Sequence, residues 1–145
     1  MSDGSPVRPQ ERLQERPWHD ATGTAKLLGL TLALSPGEGA SVTMRVTQDH
    51  ANRHGNLHGG LISTVLDTAM GATASYIRGD GGKVPFSTIS MNVNFLAPMP
   101  MGGTITATGR VMGGGYKTVF LEGIARAEDG TMVAQATGTF KRAPI

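Results

Sequence analysis

The stretch His58-Gly59-Gly60-Leu61-Ile62-Ser63-Thr64-Val65-Leu66-Asp67-Thr68-Ala69-Met70-Gly71 decides the fold. From Gly59 to about Ile77 the apolar residues Ile62, Leu66, Ala69, Met70, Thr73 and Ile77 fall within roughly 100° of one another at about 100° per residue, which predicts a single long helix with one buried face. The polar loop Asn52-Arg53-His54-Gly55-Asn56-Leu57 cannot comfortably continue a helix and so sets where this one begins. A second side of the helix shows Gly60, Thr64, Asp67, Gly71 and Ala74, a strip of small residues interrupted by one carboxylate. Asp67 has no cation three or four residues away to pair with, so its place on that strip calls for a reason other than a surface ion pair.

Elsewhere the chain alternates with the period of strands. Leu27, Leu28, Leu30, Leu32 and Leu34 precede the turn Ser35-Pro36-Gly37-Glu38-Gly39, and Val42, Met44 and Val46 alternate after it, which predicts two strands starting near Lys26. Ile89, Met91, Val93 and Phe95 alternate with Ser90, Asn92 and Asn94 from Phe86 onward, a half-buried strand that stops at Ala97-Pro98-Met99-Pro100. Three more strands are predicted over residues 104–112, 117–127 and 131–141, divided by Gly113-Gly114-Gly115 and by Glu128-Asp129-Gly130. One long helix laid across an antiparallel sheet of five to six strands makes an α+β domain over residues 23–145. Residues 1–22 carry only Val7, Leu13 and Trp18 as large apolar groups and read as a disordered tail, with Trp18 either an anchor on the domain or half exposed.

Composition narrows the function. With 145 residues the chain fits one domain and needs no staple to bury a core. It has no cysteine, which removes disulfides, thiolate metal sites and a cysteine nucleophile. Thirteen basic against eleven acidic residues, net +2, form no basic stripe, so nucleic acid is not an expected partner. No apolar run reaches the roughly 20 residues of a membrane span, and the expected setting is cytoplasmic.

The chemistry converges on the helix. Its amino-terminal end offers orphan N–H groups and a positive dipole, and Gly59 and Gly60 let a ligand oxygen approach the backbone, as an oxyanion hole requires. Asp67 supplies an acid/base group. The two are eight residues apart, however, or about 12 Å along one helix axis, too far to act on one carbonyl. Two antiparallel copies of the helix would bring Gly59 of one chain to Asp67 of the other, so the spacing predicts a homodimer with two shared sites. His50, His54 and His58 recur at intervals of four, but Gly55 and the two asparagines break any common helix face, and no metal site is expected. Ser63 and Ser87 have no evident His/Asp partners, which leaves water as the nucleophile, or direct attack by Asp67.

Asn52, Gly55, His58, Gly59 and Gly60 at the spacing N-x-x-G-x-x-H-G-G, followed by Asp67-Thr68-Ala69-Met70-Gly71 and by Ser90-Met91-Asn92-Val93-Asn94-Phe95-Leu96-Ala97-Pro98, resemble the signature of the hotdog-fold thioesterases of the PaaI-like (phenylacetate-pathway) group. The resemblance covers about residues 24–142. It implies a hotdog fold, hydrolysis of acyl-coenzyme A thioesters, and assembly as a homodimer and usually a homotetramer of two dimers. Carried over by position, Asp67 would be general base or nucleophile and Gly59 would polarise the thioester carbonyl. Asn52 would orient water or thioester from the partner chain, His58 would support the oxyanion loop, and Thr88 would help hold water. Substrate contacts would come from Gly60, Leu61, Ser63, Val65, Met70, Pro85, Phe86 and Lys117, with Arg110, Lys141 and Arg142 as further candidates for phosphate. No cofactor is expected, because coenzyme A enters as part of the substrate. Two other readings stand beside this one: a noncatalytic acyl-CoA-binding module, and a hydratase or dehydratase on the same scaffold. Loss of the crotonyl-CoA double bond, against release of free thiol, separates the two enzyme readings.

Overall fold

For most strands the alternation has one physical cause: a helix covers one face of the sheet and leaves the other to solvent. A computed structural model describes residues 23–144. In chain order it contains α1 (Gly23–Leu28), β1 (Thr31–Ser35), β2 (Gly39–Arg45), a 3-10 turn (Gln48–His50), α2 (Gly59–Arg78), β3 (Phe86–Phe95), β4 (Thr104–Gly114), β5 (Thr118–Arg126) and β6 (Met132–Arg142). The six strands form one antiparallel sheet in the order β1-β2-β4-β5-β6-β3, and α2 packs across β2, β4 and β5 while touching β3 and β6. This is the expected α+β arrangement of a long helix wrapped by a sheet. None of the described helices is long and apolar enough to cross a membrane.

The core is the layer between α2 and the sheet. Ile62, Val65, Leu66, Ala69, Met70, Thr73 and Ala74 are buried on the helix, against Val42, Met44, Ile105, Ala107, Val119, Leu121, Val133 and Phe140 from the strands. A fully buried Leu or Met contributes about 1.5–3 kcal/mol, so this seam accounts for much of the domain's stability. The helix sits unusually close to the sheet because Gly109 of β4 and Gly123 of β5, directly opposite each other in register, present no side chain to it. At Gly109 a Cβ would lie 2.7 Å from the Ala69 carbonyl oxygen and 2.5 Å from Thr73 Oγ1. Thr73, fully buried, donates to Ala69 O within the helix at 2.7 Å and uses the same closeness to accept from Ala40 N at 3.0 Å, tying α2 to the start of β2.

Two expectations are corrected. Gly23 to Leu28 forms a short helix, and the strand begins only at Thr31, because Gly29 with φ +69 and its bond to Lys26 O close the helical turn. The β3 strand is not half buried: Met91 and Val93 are partly covered, but Ile89 is 58% and Phe95 56% exposed. Lying at the end of the sheet, β3 pairs with β6 and has no strand beyond it among the described residues. The expected tail, residues 1–22 with Trp18, lies outside the described residues.

Gly109→Ala should lower the unfolding free energy by about 1–3 kcal/mol, since the clash is with backbone that cannot rotate away. Urea unfolding followed by circular dichroism measures it, and wild-type stability in this variant would refute the close helix seating.

Candidate functional site

The amino-terminal end of α2 is built by one histidine. His58 is the N-cap, in extended backbone, and its Nδ1 accepts from Gly60 N at 2.9 Å, while its carbonyl accepts from Leu61 N at 2.9 Å and Ile62 N at 3.1 Å. With His58 N donating to His50 O at 2.9 Å, three of the four orphan amides of the first turn, those of His58, Gly60 and Leu61, are satisfied, and the Gly59 amide is the one left over. That residue borders a groove of about 350 Å³ shared with Asn52, Leu57, Phe95 and Pro98, where a Cβ on Gly59 would come within 3.3 Å of the Phe95 ring. Asn52 folds the preceding loop: its Oδ1 accepts from His54 N at 2.9 Å and from Asn56 N at 3.1 Å, so its NH2 is the end available to a ligand.

Asp67 opens elsewhere. Half buried on α2, it accepts from the Thr88 hydroxyl through Oδ1 at 2.5 Å, and both residues line a cavity of about 500 Å³ bounded by Thr68, Gly71, Ala72, Ser75, Phe86 and Phe140. Thr88 is therefore brought to the carboxylate, at a point where β3 slips register between Thr88 and Ser90. The hydrogen bond is charge-assisted, and it fixes one carboxylate oxygen while leaving the other free. Within a single chain Gly59 and Asn52 border one groove and Asp67 and Thr88 another, as their spacing along the helix requires.

The remaining candidates are dispersed. Phe86 lines the Asp67 cavity, as does Pro85. Met70 and Val65 do not: both are wholly buried, and Met70 fills the space above Gly123 and Gly138. Leu61 faces the other side of the helix, bordering a hollow with His50 and Arg45. Gly60 has its amide taken by His58, and the Ser63 hydroxyl donates back to Gly59 O at 3.1 Å. Lys117 shares a cleft of about 440 Å³ with Tyr116, Lys141 and Arg142, whose guanidinium stacks on Tyr116 at 4.2 Å and donates to Arg78 O at 2.8 Å. Arg110 is apart from them, paired with Glu122 at 3.3 Å. Of the histidines, His50 Nδ1 accepts from Thr47 N at 3.1 Å, and among the described residues no three His, Asp or Glu side chains converge.

Some contributors escape a reading of the sequence. Phe95 is legible as a strand residue but not as the neighbour of Gly59; Phe140 and the α1 residues Thr24 and Ala25 wall the Asp67 cavity from afar in the chain. Only the run Phe95-Leu96-Ala97-Pro98, an aromatic just before a strand stop, carries any local signal.

Comparison with known proteins adds the following. The sequence model of the thioesterase superfamily matches residues 54–134. Among solved structures, the Escherichia coli PaaI protein from the phenylacetic acid degradation operon is 27% identical, with a TM-score of 0.75 over 91% of this chain and 96% of that one. A mutant of the phenylacetic acid degradation protein PaaI from Thermus thermophilus is 31% identical, with a TM-score of 0.73 over 84% of this chain and 100% of that one. The BH2602 protein from Bacillus halodurans, crystallised with CoA, is 27% identical, with a TM-score of 0.77 over 92% of this chain and 85% of that one. No match was found among curated protein sequences.

His58→Ala should lower stability by about 1 kcal/mol, the cost of losing an N-cap acceptor, and His58→Ser should recover most of it. Thermal unfolding of the three proteins checks this; equal midpoints would mean that the cap does not hold the helix end.

Proposed function

Because the chain belongs to the thioesterase superfamily, as a hotdog-fold thioester hydrolase of the PaaI-like group, we propose that it hydrolyses acyl-CoA thioesters at sites shared between two protomers. The observation that carries this reading is the Asp67–Thr88 pair on the wall of an apolar cavity, with the uncapped Gly59 amide at the far end of the same helix.

The chemistry follows from the groups in place. Asp67, held through one oxygen by Thr88, takes a proton from water with the other as that water attacks the thioester carbonyl. The developing oxyanion is received by the Gly59 amide at the positive end of α2, where a fixed donor needs no reorganisation. Asn52, beside Gly59, steers the thioester or the water through its NH2. Coenzyme A thiolate departs and is protonated, leaving the free acid. Direct attack by Asp67 would give an anhydride that water then opens, with the same products. No resident cofactor enters this scheme. The cleft of Lys117, Lys141 and Arg142 supplies positive charge for the phosphates of CoA, whereas Arg110 is already paired.

The free edge of β3 supports the dimer. A ten-residue edge strand without proline, carrying exposed Ile89 and Phe95, is a surface that proteins rarely leave bare. Thr88 near its start lies at Asp67, and Phe95 at its end lies at Gly59. Antiparallel pairing of two β3 edges centred between Met91 and Asn92 would set Thr88 of one protomer opposite Phe95 of its partner, and so Asp67 opposite Gly59. On the outer sheet face Met112 and Phe120, 53% and 48% exposed, offer a second apolar surface for a tetramer of two dimers.

Asp67→Asn should reduce thiol release from acyl-CoA by 10²-fold or more while the fold is retained. Co-refolding Asp67→Asn with Asn52→Ala should restore about a quarter of wild-type turnover, since each mixed dimer would hold one intact site. Turnover no higher than that of the two variants alone would place both residues in one protomer's site. Hydration of crotonyl-CoA without thiol release would replace the hydrolase chemistry altogether.

A further inference from the structure

Of the three glycines in α2, Gly59 and Gly60 stand in the first turn against the rings of Phe95 and His58, and Gly71 stands in the middle. Glycine is a poor helix former and weakens a helix interior. Nothing in the backbone requires it at Gly71, which has no positive φ. Nor does packing: among the described residues a Cβ there would meet nothing closer than Phe140 Cε2 at 3.5 Å, an ordinary contact. What the missing side chain leaves is room, one turn beyond Asp67, on the wall of the cavity of about 500 Å³.

Beyond the Asp67–Thr88 pair, the cavity's inner polar groups are already occupied. Thr68 donates to Thr64 O at 2.7 Å and Ser75 to Val84 O at 2.6 Å. Lys83 at the rim faces Asp80 at 3.9 Å, and Thr24 is exposed to solvent. Leu30, Pro85, Phe86 and Phe140 make the rest apolar. A polar substituent at the inner end of a ligand would lose its hydration for little in return, and an apolar one would displace water at no such cost.

We propose that this cavity takes a linear, medium-length apolar acyl chain, lying along α2 from Asp67 towards Ser75 and Pro85, and that Gly71 sets the length admitted. This deepens the thioesterase reading and rests on it. Asp67 to Ser75 spans about 12 Å of helix. An extended chain advances about 1.2 Å per bond, taking one third of an extended residue's length, so the cavity matches roughly ten bonds.

The test compares acetyl-, butyryl-, octanoyl- and phenylacetyl-CoA by thiol release for wild type, Gly71→Ala and Gly71→Val, with calorimetric binding of the matching non-hydrolysable S-alkyl thioethers of CoA. Wild type should favour octanoyl over acetyl by at least about tenfold in kcat/KM, and Gly71→Val should cut that ratio by about tenfold or more, Gly71→Ala less in the same direction. Thioether affinities should follow the same order, and Gly71→Ala should melt no lower than wild type. The proposal is overturned if the octanoyl-to-acetyl ratio is unchanged in both variants, or if wild type prefers phenylacetyl- to octanoyl-CoA. Should Gly71→Val fail to fold, Gly71→Ala decides alone. Thioether binding with a length preference that depends on Gly71, but no thiol release from any ester, would retain the pocket and sink the hydrolase reading instead.

Discussion

The seating of α2 on the glycine floor of the sheet governs the remaining geometry. With Gly109 and Gly123 beneath it, the helix comes close enough for Thr73 to accept from Ala40 N of β2, and it can then neither roll nor slide without losing that buried hydrogen bond. A fixed roll angle decides which residues are core and which face the β3 side. Leu66 and Met70 turn inward over Gly123, so Asp67 and Gly71 must turn towards β3 and the Asp67 cavity. The catalytic candidates inherit their positions from packing that contains no functional group at all.

That rigidity also explains the separation of the two reactive ends. Helical rise cannot be compressed, so an oxyanion donor in the first turn and a carboxylate two turns on are held about 12 Å apart in any conformation of one chain. A flexible loop could have closed the distance, with a loss of the preorganisation that electrostatic catalysis depends on. In the proposed dimer a second rigid copy would close it without that loss. The exposed edge of β3, a liability in a lone chain, would let such a copy dock in one defined register.

Much of this is legible in the sequence because it is periodic. The buried face of α2, the hairpins of β4, β5 and β6, and the glycine-histidine start of the helix all repeat or punctuate at local spacing. What is not legible depends on neighbours distant in sequence. Val65 and Met70 look like cavity residues by their nearness to Asp67, yet a rotation of about 100° per residue sends them into the core. Leu61 is displaced from the site for the same reason. The exposure of β3 could not be read from its alternation, because the pattern gives which residues are apolar and not whether other elements of the chain cover them. The short α1 is hidden by a run of leucines that suits either helix or strand, and only the left-handed Gly29 marks its end.

The same comparison separates glycines that serve the fold from those that serve a ligand. Gly109 would drive a Cβ into backbone, so its absence of side chain is a packing necessity. Gly71 would tolerate one, and its bareness therefore weakens the helix without improving any contact among the described residues. Bareness at the position facing an apolar cavity, one turn from the lone carboxylate of the helix, is what the proposed acyl chain would use. On the proposed reading specificity and catalysis would occupy successive turns of one rigid element, so that a change in chain-length preference would leave the distance between Asp67 and the thioester carbonyl undisturbed.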